Sequence, residues 1–281
     1  MSLNRLNTKT SRVGASLFQM SLSFRDAKER ELGKETILTI PQVYLLKVQK
    51  SMGFLKRFFK NVFRDGSIPI GGSSFDQIPK PELEAHLNIA RYGEFTLSDA
   101  IRPSFDLKVL PKEGFRHDRY HDERSGVSVP VIMSSISRER LFETFLELLD
   151  PLGNVVDVVL ETSHNRERTG HTDLYREHID VPVLKSILYD FEDLLINDGC
   201  TGIAVLNPAI PQEVQLDEHK LLIIYGEELG SYEEVLNHHH VNCNEKLHFL
   251  TEAEHVHSSK DTYIEMFNEL KTDLGMDGDY F

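Results

Sequence analysis

The chain has 281 residues, 40% apolar and 27% charged, with a formal net charge of −14. This composition suits a soluble chain of one large domain or two ordinary ones, each with its own core. No apolar run is long enough for a transmembrane helix, and the start lacks the apolar core of a secretory signal.

The charge is split along the chain. Residues 1–64 carry 13 Lys/Arg against 4 Asp/Glu, and the remaining 217 carry 18 against 41. A balance of +9 therefore precedes one of −23, which predicts two pieces with different roles or one folded back on the other. The acidic body would repel phosphates, so no nucleic-acid partner is expected. Cys200 and Cys243 are the only cysteines, which favours a reduced, cytoplasmic protein over a disulfide scaffold.

The first 25 residues hold Arg5, Lys9, Arg12 and Arg25 without an acid, a transit-peptide composition. Phe18, Met20, Leu22 and Phe24 alternate with polar residues, however, and alternation predicts a strand over Ser16 to Phe24. A second short strand is predicted at Thr36 to Ile40, then a helix from Gln42 to Arg64 with Pro41 at its first turn. Within it, Phe54, Leu55, Phe58, Phe59, Val62 and Phe63 share one face, and Lys56, Arg57, Lys60 and Arg64 lie mostly opposite. Residues 65–82 are rich in Gly, Pro and Ser and read as a linker. The predicted organisation is a basic region at 1–64, that linker, and an acidic domain at 83–281.

The stretch from Arg91 to Gly126 reads as irregular and charged. A strand is predicted at Val129 to Ser134 and a helix at Arg138 to Leu149, stopped by Asp150-Pro151. Val155 to Glu161 reads as a strand, and His164 to His178 as a polar loop. Asp180 is the predicted cap of a helix to Asn197, ended by Gly199. Strands follow at Thr201 to Leu206, Leu221 to Tyr225 and Lys246 to Leu250, with helices at Tyr232 to His240 and Lys260 to Leu274. The alternation predicts an α/β or α+β fold, with helices packed on a mixed sheet. The smaller basic region would add two short strands and a helix.

Histidine is the residue with most to offer chemically, at 13 copies. His117 and His121 have the i, i+4 spacing of a helical metal pair, but charge on every side argues for a solvated loop. Glu161 and His164 lie at the exit of a predicted strand, where ligands gather in open α/β sheets, and His171 follows seven residues later. His238 to His240 suit the last turn of a helix. His248, His255 and His257 fall in a strand and the loop before the last helix; with Glu252 and Glu254 nearby they permit a metal site without demanding one. Asp157 would be a costly buried charge unless paired or at an edge. The amides of Gly71 to Ser74 could bind an anion, though a linker turn explains them equally well. No nucleophile elbow, dinucleotide fingerprint, P-loop or CxxC pair occurs.

Three functions are compatible with these features. The leading expectation is a non-catalytic binding or regulatory module with a protein partner or a second copy, contacting it through Phe54, Lys56, Arg57, Phe58, Phe59 and Lys60; it needs no cofactor. The alternative is a metal-dependent, hydrolase-like enzyme. It would hold zinc, iron or manganese through His117, His121, Glu161, His164 and His171. The third is attachment of the basic helix to an anionic membrane surface.

Overall fold

The computed structural model describes residues 73–76, 78–121, 128–164 and 172–277. The basic region, with its two predicted strands and its helix carrying Phe54, Lys56, Arg57, Phe58, Phe59 and Lys60, lies outside the described residues, as does His171.

The described elements run in this order: α1 Lys80–Leu87, β1 Arg91–Tyr92, β2 Phe95–Thr96, β3 Ile101–Pro103, β4 Gly114–His121 and β5 Ser128–Ser135. Then come α2 Arg138–Glu147, β6 Val155–Thr162, β7 Thr172–Asp180, α3 Val181–Asp190 and α4 Glu192–Asn197. The chain continues through β8 Thr201–Leu206, β9 Glu213–Leu216, β10 Leu221–Tyr225, α5 Gly230–His238, β11 His255–His257 and α6 Asp261–Asp273. No helix among the described residues is long and apolar enough to cross a membrane.

Seven strands form the main sheet in the order β4-β5-β10-β9-β8-β6-β7. Every pairing is antiparallel. The expected mixed sheet is thus an antiparallel one with helices on one face, an α+β arrangement. Two residue patterns build it. In β6, Val156, Val158 and Leu160 alternate with less buried neighbours and point to the helices. In β8 and β10 every residue is buried, because these central strands are covered on both faces.

The helical face is the larger core. Leu141, Phe142, Phe145 and Leu146 of α2 pack with Leu184 and Leu188 of α3 and with Phe267 and Leu270 of α6. Each such side chain contributes about 1.5–3 kcal/mol by leaving water. On the opposite face, Tyr120, Val131, Met133, Ile223 and Tyr225 are covered by Leu247 and Phe249. The predicted strand at Lys246 to Leu250 is instead the irregular segment that supplies this cover, ending in a 3₁₀ turn at Leu250–Glu252.

Several other expectations change. The charged run Arg116-His117-Asp118-Arg119 did not prevent a strand: residues 114–121, read as irregular, pair along their whole length with β5. Part of the expected loop from His164 to His178 is β7, the partner of β6. The helix expected from Asp180 to Asn197 breaks at Phe191, whose backbone leaves helical geometry at φ −119° and ψ 20°. Asp180 occupies the N-cap position but makes no capping hydrogen bond with its side chain. Asp157 sits at a bulge in β6. Its Oδ1 accepts from the His178 amide at 2.8 Å, so the charge is partnered.

A second, two-stranded sheet matters most for the site. β11 pairs antiparallel with β3, setting His255 opposite Pro103 and His257 opposite Ile101. The ladder continues into the loop after α4, where Ser258 donates to Ala100 O at 2.8 Å and Gly199 donates to Ser258 O at 2.8 Å. A Cβ on Gly199 would lie 2.4 Å from Ala100 O and 2.9 Å from Ser258 O. Only glycine lets these backbones approach so closely. Part of the expected linker is also tied down here: Ser73 Oγ and Ser74 N donate to Glu254, the latter at 2.7 Å. A protein carboxylate thereby takes the amide that the sequence offered to an anion.

Candidate metal centre

The turn between β9 and β10 is Asp217-Glu218-His219-Lys220. One carboxylate organises it. Asp217 Oδ1 accepts from the His219 amide at 3.0 Å and the Leu221 amide at 2.8 Å, while Oδ2 meets His219 Nδ1 at 2.6 Å. Lys220 adopts a left-handed conformation, φ 62°, to close the turn. The result presents His219 with its Nδ1 engaged and its Nε2 free.

His255 and His257 come from β11. Their i, i+2 spacing places both imidazoles on one side of the strand. His255 Nδ1 donates to Ala253 O at 2.9 Å, and His257 Nδ1 donates to Gly199 O at 2.8 Å. A carbonyl oxygen only accepts, so both rings carry their proton on Nδ1 and turn a lone pair outward on Nε2. Those two Nε2 atoms lie 3.2 Å apart. His219 joins them, with ring centroids 5.0 Å and 4.7 Å from those of His255 and His257. The three rings offer ligand atoms that all lie within 4.8 Å of one another.

Three imidazoles in this arrangement could hold a metal ion. Ligand atoms around a tetrahedral ion with bonds of about 2.0–2.1 Å are about 3.3 Å apart, close to the His255–His257 separation. Each ring also has the outer partner that ligating histidines use to fix tautomer and direction: one carboxylate and two backbone carbonyls. Facing lone pairs without a cation or proton between them would repel. Burial, reinforced by neighbouring imidazoles, pushes His255 and His257 down to about 3, so protons are poor occupants. For His219, burial opposes protonation but Asp217 overcomes it and raises the value. A metal ion would displace that proton and keep Asp217 as its outer-shell anchor. Imidazole donors suit zinc, copper, iron and nickel, spacing near that of a tetrahedral ion favours zinc among them, and three protein ligands leave a fourth position open. A cavity of about 20 Å³, lined in part by His219, Lys220 and Phe249, has about the space one water needs.

A second group lies across Gly199. His164 Nε2 is 2.9 Å from Asp198 Oδ2, and Thr201 Oγ1 donates to that same oxygen at 2.6 Å. His164 Nδ1 meets Thr162 Oγ1 at 2.8 Å. Asp198 is fully buried, which opposes its ionisation, yet His164 and the Ser259 and Thr201 hydroxyls hold its carboxyl below the usual range. Cys200 Sγ completes a set whose ligand atoms lie within 4.8 Å of one another. Lys220, itself buried, donates to Thr201 O at 2.8 Å and brings its charge among the Asp198, Asp217 and Glu218 carboxylates.

A third group, at the far edge of the sheet, is built differently. His117 Nδ1 meets Glu245 Oε1 at 2.6 Å and its Nε2 meets Glu233 Oε1 at 3.1 Å. The Glu245 hydrogen bond, followed by Glu233, raises the His117 pKa against the opposing effect of burial. Both ring nitrogens are spent, so this is an imidazolium clamp joining β4, α5 and the loop at Glu245, with Cys243 beside it at 3.2 Å from Glu245 Oε1.

The residues singled out from the sequence are therefore dispersed. His117 and His121 stand on β4, one edge of the sheet, while Glu161 belongs to β6 and His164 follows it. Five strand spacings separate β4 from β6, about 24 Å. Of the five, the four described residues His117, His121, Glu161 and His164 form no single centre, and His171 lies outside the described residues. His164 does reach a plausible ligand set, with Asp198 and Cys200. His219 was not singled out at all, and His255 and His257 only as part of a loose cluster. The legible signals were His-Val-His on a short strand and Asp-x-His in a turn.

The described chain is thus an antiparallel sheet backed by helices, with three imidazoles gathered where the β9–β10 turn meets β11. No family model matches the chain, and neither a curated protein nor a solved structure matches it.

Proposed function

We propose that the chain is a zinc-dependent enzyme of hydrolytic type whose metal ligands are the Nε2 atoms of His219, His255 and His257. The observation that carries this reading is the pair of carbonyl-locked imidazoles facing each other at 3.2 Å. Three neutral nitrogen ligands leave the ion its full charge and a position for water. A zinc ion held by these three rings would supply a water of near-neutral pKa as the hydrolytic nucleophile. Asp217 orients His219, the Ala253 and Gly199 carbonyls orient the other two rings, and Phe95, Leu97, Phe249 and Leu250 line the adjoining cavity and limit water there. This reading takes precedence over the binding-module expectation, whose contact residues lie outside the described residues.

Mass spectrometry of tag-free protein never exposed to a metal column tests it. Loss of one equivalent of bound zinc in His255→Ala/His257→Ala is the expected result. Hydrolysis of a chromogenic ester or phosphoester should then fall on chelation and return with zinc. Wild-type metal content in the double variant would overturn the ligand assignment; metal held by the three imidazoles in the wild type without any hydrolysis would reduce the proposal to a structural site.

A further inference from the structure

We propose that His164 Nε2, the Asp198 carboxylate and Cys200 Sγ bind a second divalent metal ion of the zinc class, separate from the tris-imidazole ion. This does not depend on the hydrolytic reading.

Three observations converge on it. The donor types are those zinc takes in protein sites: one imidazole, one carboxylate and one thiolate. Their ligand atoms already lie within 4.8 Å of one another. And Asp198 is only partly satisfied. Its Oδ2 has His164 and Thr201, and the Ser259 hydroxyl and the Lys220 charge also act on the group, but Oδ1 is buried with no hydrogen bond of its own among the described residues. An unpartnered carboxylate oxygen in a 0% exposed side chain is costly unless something cationic meets it.

A simple His–Asp hydrogen bond does not account for the group. It would use Oδ2, leave Oδ1 as it is, and give Cys200 no role beside them. A metal ion uses all three. The outer partners are also in place: Thr162 Oγ1 can accept from His164 Nδ1, and Thr201 Oγ1 donates to Asp198. Binding releases the thiol proton of Cys200 to solvent and leaves a thiolate on the metal. The two proposed ions share one backbone hinge. Gly199 lies between Asp198 and Cys200, and its carbonyl holds His257 Nδ1.

Cobalt(II) titration of the full chain, followed by absorption spectroscopy, decides the matter. Only a thiolate ligand gives the intense near-ultraviolet charge-transfer band, and the tris-imidazole set has no sulfur. The expected result is two equivalents bound, with a band that survives Cys243→Ser and His255→Ala/His257→Ala but vanishes in Cys200→Ser. His164→Ala should lose one equivalent. If Cys200→Ser fails to fold, the unmutated protein and Cys243→Ser still decide, because these are the only two cysteines. Cobalt bound without a thiolate band overturns this proposal and leaves the tris-imidazole site standing. A band that follows Cys243 also overturns it. No cobalt bound at all overturns both sites.

Discussion

Two histidine clusters of this molecule contain similar residues and do opposite things. Around His219, His255 and His257, each ring spends one nitrogen on an oxygen acceptor and turns the other toward its neighbours. Around His117, one ring spends both nitrogens on carboxylates. The first arrangement concentrates lone pairs and could hold a metal cation. The second concentrates negative charge around one ring and calls for a proton. What separates a ligand set from an ion pair is where the second nitrogen points, and a count of histidines and acids does not reveal it.

The comparison breaks most visibly if zinc does not distinguish the clusters. A ligand at a thousandfold excess over its Kd stabilises the fold by about 4 kcal/mol. Denaturant titration should show zinc-dependent stabilisation approaching that value in the wild type and in His117→Ala. In His257→Ala the metal affinity should fall by more than the ~10–100-fold typical of losing an outer partner. Equal losses in His117→Ala and His257→Ala would erase the distinction.

Gly199→Ala tests whether backbone packing imposes the first arrangement. The added methyl group meets two carbonyl oxygens that cannot turn aside, so stability should drop by about 1–3 kcal/mol. Metal content should fall with it, since the Gly199 carbonyl fixes His257. Retained metal with lowered Tm would show that the rings do not depend on this loop.

Asp217→Asn keeps the size of the side chain and removes the charge that anchors His219. Zinc affinity should weaken ~10–100-fold while the metal content of saturated protein is preserved. An unchanged Kd would mean that His219 needs no outer partner.

The smallest effect belongs to His117, and its sign is set by pH. Its folded pKa lies above the ordinary value of 6.5. Its contribution is therefore complete below about pH 6.5 and is lost as pH rises through the higher folded value. The ring is 41% exposed, so His117→Gln should cost only about 0.2–1 kcal/mol at pH 6 and nothing by alkaline pH. Stability measured against pH in both proteins checks it; a difference that grows toward high pH would contradict the clamp.

Much of the scaffold was readable from local pattern. Alternation marked β6, and apolar runs marked β8 and β10, because burial on one face or two leaves a period in the sequence. Leu141, Phe142 and Phe145 marked α2 for the same reason. β4 was missed because Arg116, His117, Asp118 and Arg119 obscure the period. Their cross-sheet partners, Glu252 for Arg116 and Glu245 for His117, are more than 120 residues away. β9 was missed because Glu213 and Gln215 are polar residues buried by the sheet around them.

The sequence by itself determined the apolar strands β6, β8 and β10 and the amphipathic helix α2, since these follow from side-chain type and short-range periodicity. It left His255 and His257 in the loop before the last helix, and only the structure makes that segment a strand with both rings on one side. Tertiary structure alone decided that β11 pairs with β3, that Gly199 closes against Ser258 and Ala100, and that His219 arrives from a turn 36 residues upstream of His255. Those contacts settle which ring nitrogen keeps its proton. A tautomer is fixed by the oxygen it faces, and that oxygen belongs to a distant part of the chain.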